Sequence, residues 1–390
     1  MSDSPANKIK LPSSLARVGK ELAVDVYASN GILLLKKGHY VLTPELRSKL
    51  LELGMGDAVE IDARLERERR ERAAAREAEE ASSKVNPLTE LEFQARRLQN
   101  LLTHALNVPF FAEGIDEIAG TLSRQAERNP DGLIAAALLV PYKDYCSSHS
   151  LHVTALLAVL ARRLNLSASE MRSLLGAALT MNIAIAHTQN QLMLAEADDN
   201  LTVKQQELLL THPILASAIL RAAGVEDELW HTLVQQHHEE WHGEGYPGGL
   251  GREDIHPLAH LLHLVDVLVT SLGQGERQQL RQPSTVLARL FKGEAGLFDP
   301  KYTTLAIKEL GIYPPGSFVR LASGEIAVVT QRHGIKANEP KVAALRKVDG
   351  PPYASPLLRD TRNVAYRVQE AVPAAVANVR IGFLSKLWIV

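Results

Sequence analysis

Eleven of the 14 histidines in this 390-residue chain fall between His149 and His263. From Leu88 to Leu310, apolar residues recur three and four apart, the pattern of helices that share a core. Both features constrain the fold in the same way. A helical body carrying that many imidazoles must turn some of them inward, and helical histidine clusters often mean metal.

The densest stretch, Gln235 to Leu250, reads QQHHEEWHGEGYPGGL. Trp230, Leu233, Val234 and His237 share one helical face. Neighbouring residues on a helix diverge by about 100°, so His237 and His238 suit two adjacent metals better than one. His149 heads a run in which Val153, Leu156, Leu160 and Leu164 follow at helical spacing, which turns it inward. Taken alone, an inward histidine is more often a core residue than a ligand. His212 precedes Pro213, which suits a first helical turn and places His212 at or near an N-cap. Helix capping is its plain alternative role. Asp266 shares an apolar face with Leu262 and Val269, and a buried carboxylate needs a partner. Helices that gather His and carboxylate ligands inward can build a binuclear site. Nitrogen and oxygen ligands suit Fe, Mn or Zn. Two such metals can clamp a phosphoryl group, so the pattern points to metal-assisted phosphoester hydrolysis.

The remaining chain reads as smaller parts. Residues 1–61 form a small α/β module, with strands at Leu22–Tyr27 and Ile32–Leu35 about a Ser29-Asn30-Gly31 turn. A helix then opens at Thr43-Pro44 and runs to Leu53. Residues 62–87 form a charged helical linker with pairs such as Glu66/Arg70 and Glu68/Arg72. Residues 88–312 form the all-α domain. Residues 313–390 hold a small β region, with strands at Phe318–Leu321 and Ile326–Thr330 and a third near Val342. A tail follows whose end, IGFLSKLWIV, docks on its own body. The formal net charge of −2 gives no case for bulk nucleic-acid binding. A single cysteine, Cys146, fits a reducing, cytoplasmic setting. No apolar run approaches the length of about 18 residues needed to span a membrane.

On the residues HHEEWHGEGYPGGL (237–250), HSLHV (149–153), THP (211–213) and LVDV around Asp266, the chain resembles the HD-GYP family of bacterial signalling proteins. This is a branch of the HD hydrolase superfamily. The resemblance implies a mainly α helical-bundle domain flanked by the two small modules. It also implies cyclic di-GMP hydrolysis at a bi- or trinuclear iron or manganese site, with His149, His212, His237, His238 and Asp266 on metal-ligand positions. The family's His-Asp-x-Gly-Lys pattern is absent. Met181 stands for its histidine, Asn182 for the metal-bridging aspartate and Ile185 for the lysine. In the loop, Glu240 replaces an arginine and His242 an aspartate, while Gly243, Gly245, Tyr246 and Pro247 remain.

The resemblance therefore implies a degenerate HD-GYP protein with little or no phosphodiesterase activity, holding Fe or Mn at reduced occupancy or none. It would act by binding cyclic di-GMP, or a protein partner such as a diguanylate cyclase through the Glu240–Pro247 loop. Two alternatives remain. One is an active phosphodiesterase with an unusual site, in which His187, His242 or His263 contributes to a rearranged mononuclear centre. The other is a scaffold that forms homodimers through the N-terminal module and the charged helix.

Overall fold

The computed structural model describes residues 8–82, 85–108, 110–189, 191–192, 200–272, 282–294, 298–332, 339–348 and 350–389. The chain divides into two compact units, Met1–Lys84 and Val85–Val390.

In the first unit, β1 (Lys8–Lys10), β2 (Val26–Tyr27), β3 (Leu33–Leu35) and β4 (Met55–Asp57) form a sheet in the order β1-β4-β2-β3. The short, charged β1 and β4 lack the alternation that marks a strand in sequence. The helix α1 (Pro44–Leu53) starts where Thr43 accepts a hydrogen bond from the Leu46 amide and ends at Gly54. A Cβ at Gly54 would lie 2.2 Å from the Leu50 carbonyl. The charged helix α2 runs from Ala58 to Ser82. It begins earlier than Asp62, because the Asp57 carboxylate accepts the Glu60 amide at 3.0 Å. Glu66 pairs with Arg70 at 2.7 Å. The Arg72 side chain lies outside the described residues.

The second unit is built on α3 (Pro87–Thr103), α4 (Phe111–Arg128), α5 (Pro130–Leu139), α6 (Tyr145–Ala161) and α7 (Ala168–Thr180). These are followed by α8 (Val203–Ala222), α9 (Glu228–Gln236), α10 (Pro257–Leu272), α11 (Pro283–Phe291) and α12 (Pro300–Leu310). The axis of this body is α6, every residue of which is buried. A helix buried on every side sits inside a bundle, and α3, α4, α5, α7 and α10 surround it. It starts at Tyr145 rather than at His149, because Asp144 accepts the Ser147 amide at 3.0 Å.

The start of α8 also differs from expectation. His212 is not an N-cap. It lies at the middle of a helix that Thr202 and Gln205 open with a reciprocal capping box, and Pro213 sits inside that helix. The run of favourable helix formers from Lys204 to Leu210 and a strong cap outweigh the proline.

The C-terminal strands β5 (Phe318–Leu321), β6 (Ile326–Gln331), β7 (Lys341–Arg346), β8 (Pro352–Asp360) and β9 (Val368–Ala371) form one antiparallel sheet in the order β8-β7-β6-β5-β9. The proline-rich segment read as tail is strand β8. It can carry prolines because it lies on the sheet edge, where a missing N–H breaks no ladder. Ile326, Val328, Ala343 and Leu345 join the helical core. The chain end docks on the same unit: Trp388 is buried, and its indole N–H donates to the Thr330 carbonyl at 2.8 Å.

One contact aligns the helix that leads into the histidine pair. Trp230 of α9 is fully buried against Gly176 of α7, and its Nε1–H donates to Thr180 Oγ1 at 2.8 Å. A Cβ at Gly176 would lie 2.6 Å from the indole ring. Gly176→Ala should therefore destabilise the protein by about 1–3 kcal/mol through overpacking. Urea denaturation checks this, and an unchanged midpoint would show that α9 shifts freely.

Candidate metal centre

Four helical elements deliver the site. His149 comes from α6, His212 from α8 and Asp266 from α10. His237 caps the C-terminus of α9, and His238 follows it. His149, His212 and His237 are each 2 % exposed or less. The structure brings all five expected ligands to one region. One ring nitrogen from each of His212, His237 and His238 lies within 4.8 Å of the others. The adjacent histidines thus both bring a ring nitrogen near that of His212.

Backbone carbonyls orient these rings. His212 Nδ1 meets the Leu209 carbonyl at 2.6 Å and His237 Nδ1 meets the Val234 carbonyl at 2.7 Å. A carbonyl only accepts, so each Nδ1 carries the proton and each Nε2 presents a lone pair. The two Nε2 atoms face each other at 3.2 Å. Two acceptors at that distance repel unless a cation or a proton lies between them. A proton is disfavoured, because burial first, and then His212, pushes His237 down to about 3. Burial likewise lowers His212, and burial together with the neighbouring imidazoles lowers His238. Neutral, preoriented imidazoles are what a divalent cation requires, so this donor set fits a metal ion.

His149 and Asp266 form a second element of the site. His149 Nε2 lies 2.6 Å from Asp266 Oδ1, and the Tyr142 hydroxyl lies 3.3 Å from His149 Nδ1. Burial alone would raise the Asp266 carboxyl, but the His149 bond and the surrounding imidazoles hold it below the usual carboxylate range.

These groups open into a pocket of about 610 Å³ lined by His149, His212, His238, Asp266, Asn182, Ile185 and Tyr246, among others. Among the described residues lining it there is no lysine or arginine, while Glu240 contributes a carboxylate. Met181 is fully buried in the helical core and does not line the pocket. Of the three extra histidines considered in sequence, His187 and His242 are exposed. His263 lines the pocket, with Nδ1 2.9 Å from the His237 carbonyl.

The Gly-Tyr-Pro loop closes one side. The Tyr246 ring stacks on His238, with centroids 4.6 Å apart. Gly243 adopts a positive φ of 77°. Gly245 packs so closely that a Cβ would lie 2.2 Å from the Glu240 amide. Glu239, which sequence reasoning did not single out, clamps the loop by accepting the Gly248 and Leu250 amides at 2.6 and 2.8 Å. A glutamate beside two histidines carries no sequence signal for that role, because its partners are backbone groups.

Residues 133–302 match the profile of the HD domain family. The chain is 28% identical over 238 residues to the cyclic di-GMP phosphodiesterase PA4108 of Pseudomonas aeruginosa, covering 61% of this chain and 56% of that protein. It is 25% identical over 237 residues to the cyclic di-GMP phosphodiesterase response regulator RpfG of Xanthomonas campestris pv. campestris, covering 59% and 62%. Residues 133–302 of this chain are thus similar to an HD domain. The chain spans less than two thirds of the length of these two relatives. Among solved structures, Bd1817, a HDG"Y"P protein from Bdellovibrio bacteriovorus, aligns with a TM-score of 0.47 and 19% identity, covering 77% of this chain and 98% of that one. None of the described helices is long and apolar enough to cross a membrane.

The helical body also buries a histidine outside the cluster. His152 is 1 % exposed, hydrogen-bonds the Ala137 backbone and is pushed down to about 3, chiefly by burial. His152 and His237 are both depressed from 6.5. They therefore favour the folded state fully above about pH 6.5, and that stability is lost as pH falls toward 3. Each contributes a slope of about 1.4 kcal/mol per pH unit in that window. Urea denaturation of chelator-treated protein from pH 7 to pH 4 should show this loss, and His152→Leu should flatten the slope by about one proton. An equal slope in the variant would mean that His152 is not the neutral core group described.

Proposed function

We propose that this chain is an HD-GYP protein that acts in cyclic di-GMP signalling as a cation-dependent binding protein with little or no hydrolytic activity. One observation carries the reading. Three imidazoles converge, with one nitrogen of each within 4.8 Å of the others and the Nε2 atoms of His212 and His237 facing each other, while Asn182 and Ile185 form the nearby pocket wall. His212, His237 and His238 would hold one divalent cation, Fe or Mn. When bound, that cation supplies the positive charge that a phosphodiester needs in a pocket whose described lining has no lysine or arginine.

A second cation is poorly provided for. His149 and Asp266 satisfy each other at 2.6 Å, and the Asn182 amide offers an oxygen without charge. Removing the bridge between two metals removes the usual means of activating and aligning the attacking water. Ile185 cannot steady a phosphate, and Glu240 repels one. Binding can survive these losses; turnover depends on all of them. The exposed part of the Glu240–Pro247 loop then becomes the candidate contact for a protein partner such as a diguanylate cyclase. Its backbone is held by Glu239.

Elemental analysis of protein purified without chelator or nickel should find about one Fe or Mn per chain. On the same sample, cyclic di-GMP hydrolysis should lie at least about 10³-fold below that of PA4108 assayed in parallel, in keeping with loss of metal-assisted water activation. Mn²⁺ should raise the melting temperature, because a ligand specific to the folded state stabilises it. His212→Ala should abolish that rise. Two or more metals per chain with turnover comparable to PA4108 would instead establish an active phosphodiesterase.

A further inference from the structure

Pro213 lies inside α8 and is buried. A helix-interior proline has no N–H to give to the carbonyl four residues earlier. Here that carbonyl belongs to Leu209, and it is the one that His212 Nδ1 meets at 2.6 Å. His237 hangs in the same way from a carbonyl three residues back, that of Val234 at 2.7 Å. On α9 the helix ends at Gln236, so His238, whose amide would be the regular donor to Val234, lies beyond the last helical residue. Two different interruptions of helical hydrogen bonding, a proline and a helix end, thus leave a carbonyl available to an imidazole. The resulting Nε2 atoms face each other at 3.2 Å.

We propose that Pro213 is a positioning residue. It reserves the Leu209 carbonyl for His212 Nδ1, which fixes the ring and its tautomer so that the unprotonated Nε2 faces His237. The consequence for metal affinity rests on the cation-site reading given above; the consequence for the tautomer does not. Restoring an N–H at position 213 supplies the regular donor to Leu209. The two donors then compete for one carbonyl, and His212 loses its fixed orientation.

The test is Pro213→Ala in the full chain, with Pro213→Val as a second variant that keeps more of the buried volume and also carries an N–H. In ¹⁵N NMR of chelator-treated protein labelled at histidine, wild-type His212 should be almost wholly the Nδ1-protonated tautomer. Both variants should show a mixture. The Kd for Mn²⁺ should rise about 10-fold, the effect typical of losing a partner that orients a ligand. A residue that only packs would alter the melting temperature and leave the tautomer unmoved, so an unchanged His212 tautomer in a folded variant overturns the proposal. Tight Mn²⁺ binding by wild type with equal affinity in both variants overturns it as well. A shifted tautomer in a protein that binds no Mn²⁺ at all supports the positioning role and sinks the cation-site reading alone.

Discussion

Two imidazole nitrogens held 3.2 Å apart with their lone pairs facing are the constraint on which the site depends. That arrangement is repulsive in a dry interior unless positive charge lies between the rings. Burial keeps a proton from supplying it, because desolvation disfavours the imidazolium form. The backbone prevents the rings from escaping by a tautomer flip, because each Nδ1 is committed to a carbonyl. The protein thus stores electrostatic tension at the point where a divalent cation would relieve it.

The surrounding fold maintains this arrangement. The fully buried α6 gives His149 a fixed origin, and the Trp230 indole bound to Thr180 sets the lie of α9 just before the histidine pair. Beyond the pair, Glu239 gathers two loop amides, and Tyr246 covers one face of His238. Structure on both sides of the two histidines therefore limits their movement. The pocket beside them has a different character. Asn182 and Ile185 give it a neutral wall, and Glu240 gives it negative charge.

Much of the architecture was legible because the patterns are strong. Thr43-Pro44 opened a helix as expected, and strands at 318–321 and 326–331 appeared where turn residues bracketed alternating apolar positions. Other elements gave no such pattern. β4 is three residues long and pairs with β1 from the far end of its unit. β8 contains prolines that read as a break until its edge position is known. Pro213 misled for a related reason: a proline usually marks a helix start, but the Thr202 capping box upstream had already set the first turn.

The sequence by itself determined the helical body and the inward placement of His149, His237 and Asp266. These follow from residue identity and helical period, which are local properties. Only the tertiary structure decided that His237 and His238 meet His212 at one point, that His149 and Asp266 bond to each other, and that Met181 lies in the core while Asn182 and Ile185 line the pocket. Ring orientation depends on which backbone carbonyls are left without helical donors. Convergence depends on where one helix stops relative to others distant in sequence. Both are facts of packing, which no spacing rule along the chain contains.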